Sequence, residues 1–93
     1  MSDDVRAHLR IYGRVQGVFF RANTRKQARK RGLGGWVMNL DDGSVEAVIE
    51  GPGDDVREVV DWAHEGPPRA NVEDIEVDWE GYEGAFDQFE VRR

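Results

Sequence analysis

The order of elements along this chain predicts an α+β fold, a two-layer sandwich with both helices on one face of a sheet. Three observations carry that expectation. Hydrophobic patterns of period two and period 3.6 follow one another as strand, helix, strand, strand, helix, strand, with one more short strand at the end. The length of 93 residues fits one domain over 1–93, enough for a two-layer core with little apolar area to spare. Firm breakers separate the segments, and no repeat, low-complexity stretch or linker interrupts them. Two split β-α-β units satisfy this pattern, and right-handed crossovers then interleave them in the strand order 4-1-3-2.

The elements are justified in turn. Ala7, Leu9 and Ile11 share one face of a first strand over 7–12, with His8, Arg10 and Tyr12 on the other. Residues 22–31 lack Gly and Pro and favour a helix, although their apolar stripe is weak. Gly32 suits its C-terminal stop, and Arg29, Lys30 and Arg31 suit the negative end of its dipole. Residues 35–40 and 44–50 read as a hairpin around Asp41-Asp42-Gly43. Gly51-Pro52-Gly53 reads as a break, followed by Asp54 as the cap of a helix over 55–65. Val56, Val59, Val60 and Ala63 form its apolar stripe, and Gly66-Pro67-Pro68 ends it. Residues 72–79 alternate, with Ile75, Val77 and Trp79 on one side, and a last strand is expected near 86–91.

Composition excludes several functions. With no cysteine there is no disulfide, thiol chemistry or Cys-bound metal. No apolar window is long enough to span a membrane, and Met1-Ser2-Asp3-Asp4 does not read as the start of a secretory leader. The expected location is the cytoplasm. The net charge of -6 hides an asymmetry. Residues 5–40 hold nine Arg or Lys and no acid, whereas 41–93 hold seventeen acids and four basic residues. The first part therefore attracts anions, unless the two parts interleave in the fold and neutralise each other. Overall acidity argues against a nucleic-acid partner. Eleven Arg against two Lys in an acidic chain fits either a salt-rich cytoplasm or a GC-rich genome.

The most informative run is Gly13-Arg14-Val15-Gln16-Gly17-Val18-Phe19-Phe20-Arg21. It leaves a strand and enters a helix. A Gly-containing turn lets successive N–H groups point inward, and the helix start adds partial positive charge. Arg21 is placed to fork onto a tetrahedral oxyanion held there. No Gly-Lys-Ser/Thr follows, so a nucleotide triphosphate is not indicated. An isolated run of this kind would also suit a tight connection whose glycines serve geometry alone.

Asn39 stands near the end of a good strand sequence, where Asn is unusual. It suits either the neighbouring turn or a polar site, since an amide both donates and accepts hydrogen bonds. His8 and His64 are single and without ligand spacing, so they read as surface residues. Trp36, Trp62 and Trp79 read as packing residues of the core or sheet surface. Acid pairs such as Asp54-Asp55 read as capping, and Glu76 and Asp78 read as a solvated strand face.

The nine-residue run resembles the first signature of the acylphosphatase family, G-x-V-Q-G-V-x-[FY]-R, at every fixed position. Gly35-Trp36-Val37-Met38-Asn39, followed by Gly43, Val45 and Gly51, resembles the second. The connections around Glu50-Gly51-Pro52 and 65–72 extend the likeness over essentially the whole chain. The resemblance implies a ferredoxin-like sandwich with the fifth strand on the outer edge of the second. It also implies hydrolysis of the mixed anhydride of a carboxylic acid and phosphate, without metal or other cofactor. The implied phosphate loop is Val15, Gln16, Gly17, Val18, Phe19 and Phe20, acting through backbone N–H groups. Arg21 holds the phosphoryl group and Asn39 orients the attacking water. Neither motif contains a His, Asp or Glu to serve as general base.

The expected partner is a small acyl phosphate, with inorganic phosphate or sulfate as competing anions, and the expected state is a monomer. The main alternative is a non-catalytic anion-binding or ligand-binding module on the same fold, which would be expected to lack Arg21 or Asn39. A carbamoyl-phosphate domain of a larger maturation enzyme is a second alternative, disfavoured because no zinc motif is present. An RNA-binding sheet is a third, and it would need basic charge and an RNP-type aromatic pattern that the chain lacks.

Overall fold

A computed structural model describes residues 3–93. Met1 and Ser2, the first two positions of the segment read as lacking a leader, lie outside the described residues. The elements are β1 (Asp4–Arg14), α1 (Phe20–Lys30), β2 (Gly34–Asn39), β3 (Val45–Pro52), α2 (Gly53–Glu65), β4 (Asn71–Glu80) and β5 (Phe89–Arg92). The five strands form one sheet in the order β4-β1-β3-β2-β5. This is the interleaved ferredoxin-like order expected, with β5 on the outer edge of β2. All neighbours are antiparallel except β2 and β5, which run parallel.

Register explains which side chains meet the helices. Ala7, Leu9 and Ile11 stand opposite Ile49, Ala47 and Val45 of β3. Val37 and Asn39 stand opposite Ala47 and Val45. These positions share the face that packs on the helices, and all but Asn39 join Val56, Val59, Val60 and Ala63 of α2 in the core. Phe20 of α1 packs against Trp62 of α2 with ring centroids 5.4 Å apart. The other two tryptophans lie against arginines at the surface: Trp36 under Arg92 at 4.9 Å and the half-exposed Trp79 under Arg57 at 5.7 Å.

The helix ends differ from each other. At the C-terminus of α1, Leu33 N–H donates to Ala28 O and Gly32 N–H to Arg29 O, with Gly32 at φ 70°. This doubly bonded left-handed stop matches the reading of Gly32. The break read at Gly51-Pro52-Gly53 does not occur: β3 runs to Pro52 and α2 starts at Gly53. Pro52 is therefore the cap, at φ -55° and ψ 133°, and Asp54 lies inside the first turn. There Asp54 and Asp55 serve the dipole rather than capping a backbone donor. The expected hairpin forms, with Leu40 N–H donating to Ser44 O at 2.8 Å and Gly43 at φ 93°.

The basic and acidic parts of the chain do interleave. β1, which carries Arg6, His8 and Arg10, lies between acid-bearing β3 and β4. On the open face of the sheet, Arg6 pairs with Glu50 and Glu80, His8 meets Glu46 at 2.7 Å, and Arg10 pairs with Asp42. Tyr12 donates to Glu76 across the same face.

Glu50 is the buried member of this lattice, 3% exposed. Its carboxylate accepts from the N–H groups of Glu83 (2.8 Å) and Ala85 (3.1 Å) and from Arg6 (3.2 Å). It thereby ties the 81–88 connection to the sheet. Burial pushes the carboxyl up, but the two N–H donors and the guanidinium outweigh it, and the group titrates below its ordinary range. A depressed folded value adds stability above the unfolded value, and that stability is lost as pH falls through the folded value. Glu50→Gln should therefore cost about 2 kcal/mol near neutral pH, since hydrogen bonds to charge are replaced by weaker ones. The gap to wild type should close in urea melts taken progressively below about pH 4.3, the ordinary glutamate value. A gap independent of pH would exclude the carboxylate as its source.

Candidate active site

The segment between β1 and α1 is anchored by alternate side chains. Val15, Val18 and Phe20 are each buried to 2% exposure or less and enter the core. Between them, the Gln16 side-chain amide donates to Leu40 O at 2.8 Å and Ser44 O at 2.9 Å. Gln16 therefore pins the loop to the β2–β3 hairpin. Gly17 has φ 75° with open space where a Cβ would lie, so conformation rather than room requires glycine. At Gly13, φ 122°, close approach also matters: a Cβ would lie 2.2 Å from Asn71 O of β4.

Phe19 is the one described non-glycine residue with positive φ (65°), and it is two-thirds exposed. An aromatic residue in that region carries strain of order 1 kcal/mol. Its carbonyl is held by both the backbone N–H and side-chain amide of Asn23.

The loop N–H groups from Gln16 to Phe20 find no protein acceptor among the described residues. Phe19 occupies the cap position of α1, no side chain caps that end, and no acid lies in its first turn. The positive end of the α1 dipole is left uncompensated, in contrast to α2 with Asp54 and Asp55.

Beside this loop lies a cleft of about 480 Å³ lined by Val15, Gly17, Phe19, Phe20, Arg21 and Asn39 from the two motifs. Gln16 and Val18 are not among its walls; one side chain binds the hairpin and the other fills the core. Asn39 lies on the helix-facing side of β2, in register with Val45. Its Oδ1 is buried and accepts no hydrogen bond within the protein. An amide oxygen held that way costs free energy unless water or a ligand donates to it. Asn39 is thus aimed at the cleft rather than used in the turn, where Asp42 bonds Ser44 instead.

Ala22, Arg25, Val91 and Arg93 complete the walls and were not singled out in the sequence. Arg25 follows Arg21 by one helical turn, a spacing that could have found it. Val91 and Arg93 arrive through the parallel β2–β5 pairing, where Val37 faces Val91. Nothing local in the sequence signals that meeting. The cleft walls include no Asp, Glu or His, and among the described residues no three His, Asp or Glu cluster as metal ligands.

Fold and cleft together define a ferredoxin-like sandwich with an acid-free, arginine-lined cleft at the start of α1. The acylphosphatase family profile matches residues 7–91. An acylphosphatase of Natronomonas pharaonis is 55% identical over 93 residues, covering all of both chains. One of Haloarcula marismortui is 59% identical over 87 residues, 94% of each chain. The solved structure of an acylphosphatase from Coxiella burnetii superposes with a TM-score of 0.91 at 39% identity, covering 97% of this chain and 94% of the other. The chain belongs to the acylphosphatase family.

Replacing Gln16 by Ala removes both ties between loop and hairpin. The expected cost is about 1–2 kcal/mol in thermal unfolding, from the loss of two neutral hydrogen bonds whose acceptor carbonyls keep their backbone donors, Leu40 N–H and Gly43 N–H. Amide exchange should quicken selectively over residues 15–21. Unchanged exchange there would show that the buried valines and Phe20 suffice to hold the loop.

Proposed function

We propose that this chain hydrolyses acyl phosphates to carboxylate and inorganic phosphate, with Arg21 and Asn39 as its catalytic residues. The observation that carries the reading is the convergence of unpaired loop N–H groups, Arg21 and the buried, unpaired Asn39 Oδ1 on one cleft. The N–H groups of Val15, Gln16, Gly17, Val18, Phe19 and Phe20 hold the phosphoryl oxygens, and the Arg21 guanidinium forks onto them. Asn39 Oδ1 accepts a hydrogen bond from the attacking water and orients the water's oxygen towards phosphorus, opposite the acyl oxygen.

Water's oxygen then bonds to phosphorus as the bond to the acyl oxygen breaks, and the carboxylate leaves with that electron pair. Carboxylate is a good leaving group, and the transition state spreads its charge over the phosphoryl oxygens. Fixed donors aimed at those oxygens supply most of the acceleration. The water's proton passes to a phosphoryl oxygen of the substrate, since no acid or histidine lines the cleft to take it. Inorganic phosphate and sulfate compete for the same cradle. The working unit is a monomer in the cytoplasm, and no helix of the described residues is long and apolar enough to cross a membrane. A catalytically idle module is the weaker reading, since the curated relatives at 53–61% identity carry the enzyme's name.

In EDTA, wild type should hydrolyse benzoyl phosphate, and Arg21→Gln should abolish turnover. Arg21→Lys should fail too, because a point charge loses the fork. Asn39→Ala should lower kcat by about 10²–10³, the scale of one lost transition-state contact, while phosphate still binds. Near-normal turnover in Asn39→Ala would remove the water-orienting role.

The excess of Arg and acids also supports adaptation to a salt-rich cytoplasm, where acidic surfaces stay hydrated and their repulsion is screened. Activity and melting temperature should then both rise into molar KCl. A fall in both would end that reading.

A further inference from the structure

We infer that Asn23, in the first turn of α1, is a positioning residue for the phosphate loop: its side chain fixes the peptide plane between Phe19 and Phe20 and so sets the direction of the Phe20 N–H. This rests on the phosphate-binding part of the reading above and not on turnover. Asn23 is half-buried and is not among the cleft walls, so it acts through the backbone rather than on substrate.

Two donors of one residue converge on a single acceptor. Asn23 N–H donates to Phe19 O at 3.1 Å, and the Asn23 side-chain amide donates to the same oxygen at 2.9 Å. The backbone bond is the one that opens any helix. The side-chain bond is additional, since an asparagine in a helix is free to face solvent instead. It falls on the residue whose conformation most calls for support. Phe19 holds φ 65° without glycine's freedom, and its ring is too exposed for packing to hold it there. Burial of Val18 and Phe20 fixes two side chains, but not the plane of the peptide between Phe19 and Phe20. That peptide is trans, so its C=O and N–H point in opposite directions. With the oxygen drawn along α1 towards Asn23, the Phe20 N–H points back out of the helix start. Phe19, Phe20, Arg21 and Ala22 border the cleft at that end, and the Phe20 N–H has no acceptor among the described residues. A clamp on the Phe19 carbonyl therefore orients a donor that an anion at the helix start would use.

The next residue shows how to separate the donor from the helix. Thr24 Oγ1 donates to Phe20 O at 2.8 Å, the same reach of four residues. Threonine at position 23 can therefore replace the asparagine amide, whereas valine has nearly the same shape and no donor. The two differ little in helix propensity.

Titration of the full chain with inorganic phosphate, followed by amide NMR, tests the clamp. Wild type and Asn23→Thr should bind phosphate with dissociation constants within about twofold of each other, since each keeps one side-chain donor on Phe19 O. In both, the Phe20 amide proton should move downfield at saturation. Asn23→Val should bind about three- to fivefold more weakly, the scale of one solvated neutral hydrogen bond, with a smaller Phe20 shift. A merely structural role would lower the melting temperature of Asn23→Val and leave its affinity and Phe20 shift equal to those of Asn23→Thr. That equality would overturn the clamp. In parallel, kcat/KM for benzoyl phosphate should fall in Asn23→Val by at least the loss in phosphate affinity. Wild type that binds phosphate but hydrolyses nothing would remove the hydrolase reading, and the clamp would still be decided by the Thr–Val pair. Failure of wild type to bind phosphate would overturn the clamp and the phosphate loop together.

Discussion

Everything near the cleft depends on one constraint: a run of backbone N–H groups must be kept unpaired beside it. Left alone, such a segment would turn to bond itself or collapse. Burial prevents this, because Val15, Val18 and Phe20 are committed to the core on one side. The hairpin prevents it on the other, through the Gln16 amide. What remains between these anchors is Gly17 at positive φ and Phe19 in a strained conformation, both facing outwards. The core of the sandwich thus doubles as the clamp on the loop, and stability and site geometry are one problem.

Charge is arranged to match. The sheet's open face spends Arg6 and Arg10 of β1 on acids of β3, β4 and the β2–β3 turn, and the remaining acids of β3 and β4 leave that surface negative. The start of α2 is neutralised by its own acids, while the start of α1 is not. Positive potential therefore survives at the loop in a protein that is acidic overall, and anions are drawn to that end.

Most of the fold was legible because its patterns are local. Alternation at 7–12 and 72–79, the stripe of α2 and the stop at Gly32 each follow from a few adjacent residues. The cap of α2 was not, since Asp54 is a good cap by type while chain geometry gave the place to Pro52. The loop and Asn39 were legible through their spacing and family likeness. Two things could not be read. The direction of the Gln16 side chain is decided by where the hairpin carbonyls lie, 24 and 28 residues away. The contribution of Val91 and Arg93 is decided by a strand pairing that no local signal announces.

The strand order also bears on how the chain folds. Ala7 of the central strand faces Ile49 on one side and Trp79 on the other, and only β2 and β3 are neighbours in both sequence and sheet. A long loop must close before β1 gains either partner and two before it gains both, and the entropy of each is lost before its contacts reward it. Such a topology folds more slowly than a helical bundle of equal length. The hairpin can form early and alone, but the loop it pins leads out of β1. The cleft therefore takes shape only when the most distant pairings close, and a half-folded chain has no functional cradle.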